Sequence, residues 1–317
     1  MRKLSKIICV ALILLCPFVA NSQECKERPK VGLVLSGGGA KGAAHIGVLK
    51  YIEEAGIPID YIAGTSMGSI VGGMYALGYS SDEILDMISS VDWNRLISNE
   101  VDRQKISFGR KLEKGAQLIT VPFSLTTQQE ELQSRSFRNS LPQGLVSGDN
   151  LINLFNSLAV GYSDSLAFKE LPIPFVCIAT NMISGEADVL DKGEFTKALR
   201  ASMAIPILFD PIKMNNTLYV DGGLTTNFPV EQCRAMGADY IIGVSMSPGL
   251  EENPEKLSSI LSQVGQLKEI LTDKDFDQYH KHCDIFISPD LKGVGMLSFD
   301  AESIKAENPS SVQISKK

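Results

Sequence analysis

The residues in this chain that could do chemistry gather in two glycine-rich turns and one aspartate turn. Gly64-Thr65-Ser66-Met67-Gly68 is its only GxSxG. A serine on so tight a turn sits at a helix N-terminus, where the positive end of the helix favours a developing alkoxide and then an oxyanion. Gly64 and Gly68 keep bulk away on both sides. Gly37-Gly38-Gly39-Ala40-Lys41-Gly42 lies upstream. It satisfies GxGxxG, the dinucleotide fingerprint, but the second strand ends in Gly64-Thr65-Ser66 and not in the acidic residue a ribose would need. Its plainer content is a set of backbone N–H groups that can point at an anion. Asp221-Gly222-Gly223 follows an apolar run and offers a carboxylate on a turn, although Asp-Gly-Gly is also a common turn in its own right.

A nucleophilic serine needs a proton acceptor, and histidine is the usual one. The chain has three histidines, His45, His280 and His282. His45 falls one turn into the helix after the first glycine loop, where packing explains it as well as chemistry does. His280 and His282 flank Lys281 in a polar stretch. Asp221 is the other candidate, and partial desolvation would raise its affinity for a proton. The chemical expectation is therefore a Ser66–Asp221 pair with N–H donors from the glycine loop.

These turns need rigid elements behind them. Val31–Leu35 reads as a buried strand, Gly42–Ala55 as a helix, Ile59–Gly64 as a second strand and Met67–Leu77 as a second helix. Strand, helix, strand, helix within fifty residues predicts parallel strands joined by right-handed crossovers. Both loops then leave the same edge of adjacent strands, where such sheets bind ligands. Further strands are expected at Phe175–Thr180, Leu218–Val220, Tyr240–Ser245 and Asp284–Ser288. The stretch 96–147 is rich in Gln, Ser, Thr and Arg with no sustained period, and suits either a lid or a surface insertion.

Composition narrows the class. With 317 residues, 44% hydrophobic and 21% charged, the chain can bury a substantial core. A formal net charge of −7 lacks the basic footprint of a nucleic-acid binder. Arg2, Lys3 and Lys6 precede an uncharged run of 14 residues, Ile7–Ala20, and small residues at Ala20 and Ser22. That pattern predicts a secretory signal over 1–22, cleaved after Ser22, so that the mature chain would be periplasmic, outer-membrane-associated or secreted. Its loss would take the formal charge from −7 to −10. Disulfides among Cys25, Cys177, Cys233 and Cys283 stay open. Oligomeric state is not indicated, and residues 301–317 read as a polar, disordered tail.

The three turns, in this order, resemble the motifs of the patatin-like phospholipases. His45-Ile46-Gly47-Val48-Leu49 and Ala198–Pro206 add to the likeness, which spans roughly 30–248 within a domain expected over 23–300. The resemblance implies a three-layer α/β/α hydrolase with a mainly parallel central sheet. It implies Ser66 as nucleophile, Asp221 as proton acceptor, and the N–H groups of Gly37, Gly38 and Gly39 as oxyanion hole. Lys41, Gly42, Gly64, Gly68 and Gly222 would support the motifs, with Lys41 where many relatives carry an arginine. It implies no metal or other cofactor and a lipid or membrane-surface substrate, cleaved as by a phospholipase A or lysophospholipase. The text around Leu112–Asn156 and Ile287–Phe299 looks most like exported bacterial members, in which a membrane barrel often follows. The residues after Phe299 number 18, too few for a barrel. A non-catalytic lipid binder on the same fold, or a dinucleotide binder, are the alternatives.

Overall fold

The computed structural model describes residues 28–96, 146–162, 165–246, 253–257, 281–289 and 312–316, with parts of 262–270. The leader, Cys25, the stretch 97–145 and His280 lie outside the described residues. Around Lys30 the chain enters β1 (Val31–Leu35), a 3-10 turn (Gly39–Ala43) and α1 (Ala44–Glu54). It continues through β2 (Tyr61–Thr65), α2 (Met67–Ala76), α3 (Ser81–Ser90) and α4 (Trp93–Leu96). Next come α5 (Asp149–Leu158), β3 (Leu166–Ala167), β4 (Phe175–Asn181), β5 (Ala187–Leu190), β6 (Lys192–Gly193) and α6 (Phe195–Ser202). The remainder is β7 (Ile212–Met214), β8 (Thr217–Asp221), α7 (Val230–Ala235), β9 (Tyr240–Val244), β10 (Ile285–Pro289) and β11 (Val312–Lys316).

The main sheet runs β11-β10-β9-β1-β2-β4-β8-β7, with β5 also on β4. From β10 to β4 the strands are parallel, as the crossover pattern requires. Alternate residues serve opposite faces. Leu33, Leu35, Ile62, Ile242 and Val244 pack toward α1, α2 and α6, with Phe168, Phe175 and Phe195 in mutual ring contact. Val34, Ala63, Val176 and Ile241 face the other way, against Val230 and Cys233 of α7. Helices on both faces make three layers.

Antiparallel strands close the sheet at both ends. β11 pairs with β10, Val312 opposite Pro289 and Lys316 opposite Ile285. The expected disordered tail over 301–317 therefore contains a strand. Val312 and Ile314 alternate with Gln313 and Ser315 at the period of a strand, and β10 offers an edge with unmet N–H and C=O groups. At the other end the register does more. Ile178 of β4 pairs with Thr65 and with Val189, so β2 and β5 occupy opposite edges of β4. Ala179 pairs with Asp188 and with Asp221, which puts β8 on the edge opposite β5, the same edge as β2. β2 and the antiparallel β8 thus run head to head along one side of β4, and their C-terminal ends meet. Ser66 follows the end of one, and Asp221 ends the other.

Candidate active site

Ser66 Oγ donates to Asp221 Oδ2 at 2.7 Å, with the two residues 3% and 1% exposed. The head-to-head strands bring together two residues that lie 155 positions apart. Ser66 has φ 54 and ψ −123 and immediately precedes α2. That conformation aims the side chain away from both strand and helix, at the positive end of the α2 dipole. Positive φ is uncommon for a residue with a Cβ. Gly68 makes the turn possible, because a Cβ there would strike the carbonyl oxygens of Leu35 and Ser36. Gly64, one residue before the end of β2, lies equally close to the Gly68–Ser69 backbone.

Asp221 is held at every polar atom that the structure pairs. Its Oδ1 accepts from the Gly223 N–H at 2.7 Å. Its own N–H donates to Ala204 O at 2.8 Å, and its carbonyl accepts from Thr180 Oγ1 at 2.9 Å. A Cβ at Gly222 would run into the Ile178 carbonyl, so the turn lies directly on β4. The carboxylate therefore presents Oδ2 to the serine in a fixed orientation.

The glycine loop needs one correction. The Gly37 N–H, expected among the oxyanion donors, donates to Asn227 O at 3.3 Å. Among the described residues no acceptor takes the N–H of Gly38 or Gly39, and Gly39 has φ +60. Those two N–H groups differ in this from that of Gly37. Lys41 and Gly42 lie in the 3-10 turn, with Gly42 close against the Met67 side chain beside the nucleophile. The expected helix from Gly42 accordingly becomes regular only at Ala44.

His45 and His282 play other parts. His45 is wholly buried, and its Nε2 bonds the Ser36 carbonyl at 2.8 Å. Burial pulls its pKa down to about 4, against the opposing effect of that hydrogen bond, so at neutral pH it is an uncharged packing residue. His282 meets Glu231 at the surface. Cys177, Cys233 and Cys283 are buried free thiols.

Several residues that organise the site gave no motif signal. Ser202 Oγ accepts the Ser66 N–H at 3.0 Å. Thr65 Oγ1 donates to Thr226 O at 3.0 Å, and Asn227 holds Gly37. The segment 221–227, which begins with the aspartate turn, thus touches both glycine turns. Ser202 did lie within the flanking text Ala198–Pro206, but nothing in the sequence said which atom it would bind.

An α/β sheet carrying a buried serine–carboxylate pair at the start of a helix, with a glycine loop from the adjacent strand, is the arrangement that serine hydrolysis calls for. The family model described as patatin-like phospholipase matches residues 33–234, which include all three turns. The chain belongs to the patatin-like phospholipase family. The protein named lysophospholipase NTE1 from Meyerozyma guilliermondii is 29% identical over 232 residues, covering 73% of this chain and 14% of that protein. Its namesake from Mycosarcoma maydis is 32% identical over 235 residues, covering 73% of this chain and 10% of that protein. The chain thus spans a small part of the curated relatives it matches. Both are eukaryotic proteins, and neither bears on the likeness to exported bacterial members. The crystal structure of VipD from Legionella pneumophila matches 91% of this chain and 68% of that one, at 15% identity and a TM-score of 0.44.

Proposed function

We propose that the chain is a serine acyl-ester hydrolase of lipids, of phospholipase A or lysophospholipase type. The observation that carries this reading is the buried 2.7 Å hydrogen bond from Ser66 Oγ to Asp221 Oδ2. In the proposed reaction the Oγ–H proton passes to Asp221 as Oγ attacks the ester carbonyl carbon. The oxyanion is received by the N–H groups of Gly38 and Gly39, each worth about 3 kcal/mol in the transition state. Collapse of the tetrahedral species expels the lipid alcohol, which takes the proton from Asp221 and leaves an acyl-Ser66 ester. Asp221 then deprotonates a water that attacks this ester. The fatty acid departs, and Oγ recovers its proton. Family membership and the relatives' names make lysophospholipids the first substrates to try. Export with removal of residues 1–22 is part of the same proposal, and N-terminal sequencing of the processed chain tests it.

The activity test is product analysis on micelles of lysophospholipid and diacyl phospholipid, with Ser66→Ala beside the wild type. Free fatty acid from the wild type and none from Ser66→Ala supports the reading. Lipid that binds the folded wild type and is never cleaved, with short-chain esters also intact, contradicts it and favours a lipid-binding protein.

A further inference from the structure

The turn that ends α6 touches the main chain of both members of the Ser66–Asp221 pair. Ser66 holds a backbone conformation that persists only where its surroundings over-determine it. Its carbonyl is bound locally, by the N–H groups of Ser69 and Ile70 and by Ser69 Oγ at 2.6 Å. Among the described residues its own N–H has a single acceptor, Ser202 Oγ at 3.0 Å, from a residue 136 positions away. Two residues beyond Ser202, the Ala204 carbonyl accepts the Asp221 N–H at 2.8 Å. The first and last of three consecutive residues, 202–204, therefore hold the main chain of the nucleophile and the main chain of the aspartate.

The turn is itself secured by Arg200, on the last turn of α6 and wholly buried. Its Nη2 donates to Ser147 O at 3.0 Å and Asp210 O at 3.3 Å, and its guanidinium sits 4.5 Å from the centre of the Phe209 ring. Gly148 leaves it room, since a Cβ there would lie 2.6 Å from Arg200 Cζ. Among the described residues Nε and Nη1 find no acceptor. An apolar side chain would fill this space without unmet donors, so space filling does not account for an arginine here. Its Nη2 does account for it, because one nitrogen at the end of a long side chain ties α6 to two separate segments.

We infer that Ser202 is a positioning residue for catalysis, its hydroxyl fixing the Ser66 peptide so that Oγ keeps its line to Asp221, within a turn that Arg200 anchors. The inference rests on the serine-hydrolase reading above. Ser202 is wholly buried. Its loss should therefore leave substrate binding alone and act on the bond-making step, where an ångström of misplacement costs about a hundredfold.

The test compares wild type, Ser202→Ala and Ser202→Thr by the rate of fluorophosphonate labelling at Ser66, by kcat and KM on a short-chain chromogenic ester, and by Tm. Ser202→Ala should label and turn over roughly 10- to 100-fold more slowly, with KM within about twofold. Release of the strained turn should offset much of the lost hydrogen bond in Tm. Ser202→Thr keeps the hydroxyl and should recover most of the rate. Wild-type labelling per folded molecule in Ser202→Ala, with only Tm lowered, would overturn the inference while leaving the hydrolase reading intact. Equal slowing of the Ala and Thr variants would overturn it too, because the hydroxyl would not be the operative group. Should Ser202→Ala not fold, hydrogen exchange at the wild-type Ser66 amide decides. Protection at the level of the core strands supports the inference, and exchange like that of an exposed turn overturns it. A folded wild type that takes no label at Ser66 overturns the hydrolase reading and this inference together.

Discussion

Ser66 and Asp221 meet at 2.7 Å, yet the turns that carry them are built on different principles. Ser66 lies at φ 54 and ψ −123, a conformation costing on the order of 1–3 kcal/mol, and it depends on neighbours that lack a Cβ. Asp221 lies at φ −47 and ψ 126, near the ordinary extended region, and depends on hydrogen bonds from Thr180 and Gly223 and on one that it donates to Ala204 O. The first turn leans more on missing Cβ atoms, with Ser202 as its distant partner, and the second more on hydrogen-bond partners, with Gly222 as its one close approach. A strained turn announces itself in sequence, because only certain residues can build it. A relaxed turn announces less: Asp221-Gly222-Gly223 is legible as a carboxylate on a turn, but the partners that hold it are not.

The largest expected effect lies at the strained turn. Ser66→Ala should lower ester hydrolysis by at least about a thousandfold, since a residue acting as nucleophile leaves little behind when removed. Steady-state assays on the folded variant check this. Substantial residual hydrolysis would mean that another group reacts.

Backbone crowding comes next and touches both turns. Gly68→Ala and Gly222→Ala each drive a Cβ into main-chain carbonyls, which cannot move aside as a flexible side chain could. Each should cost at least about 3 kcal/mol, seen as a loss of soluble protein or a fall in Tm of several degrees. If Gly68→Ala were tolerated and Gly222→Ala were not, the contrast drawn between the two turns would have to be reversed.

Acid should separate the two sides. His45 braces the Ser36 carbonyl at the entry to the glycine loop, and its pKa is lowered to about 4 from 6.5 by burial. The folded state therefore disfavours the protonated ring. Below pH 6.5 the unfolded chain takes up a proton that the native chain refuses, so stability falls as pH drops toward 4 and the loss levels off below that. The shift corresponds to roughly 3 kcal/mol. Urea titrations between pH 7 and pH 4 should show this loss, and His45→Gln should flatten that part of the profile.

The smallest effect belongs to the relaxed turn. Thr180→Val removes the hydroxyl that donates to the Asp221 carbonyl and contacts Thr225 Oγ1. It should cost about 1–2 kcal/mol and lower kcat only modestly. Denaturant unfolding and a parallel ester assay would show whether Asp221 keeps its aim with one support gone.

The same contrast explains what could be read from sequence. β1, β2 and the start of α2 were readable because buried strands and glycine turns obey local rules. The edge of the sheet at which Ser66 emerges followed from the crossover pattern. The head-to-head meeting of β2 and β8 was not readable, because register between strands 155 residues apart is set by packing. Gly37 was expected to donate to an oxyanion, and only the fold shows Asn227 taking that N–H. Ser202 and Thr180 are ordinary residues whose roles come from where α6 and β4 lie. β11 was hidden by its polar surroundings, although Val312 and Ile314 carried the alternation.

The most direct measurement of the central claim is to trap the covalent intermediate. Wild type and Asp221→Asn would be quenched in acid within the first turnover of a slow chromogenic ester, then examined by intact mass and peptide mapping. The acyl mass should appear on the peptide containing Ser66 in the wild type, and form at least about a hundredfold more slowly in Asp221→Asn. Acylation at another residue, or Ser66 acylated equally fast in both proteins, would contradict the assignment of nucleophile and base.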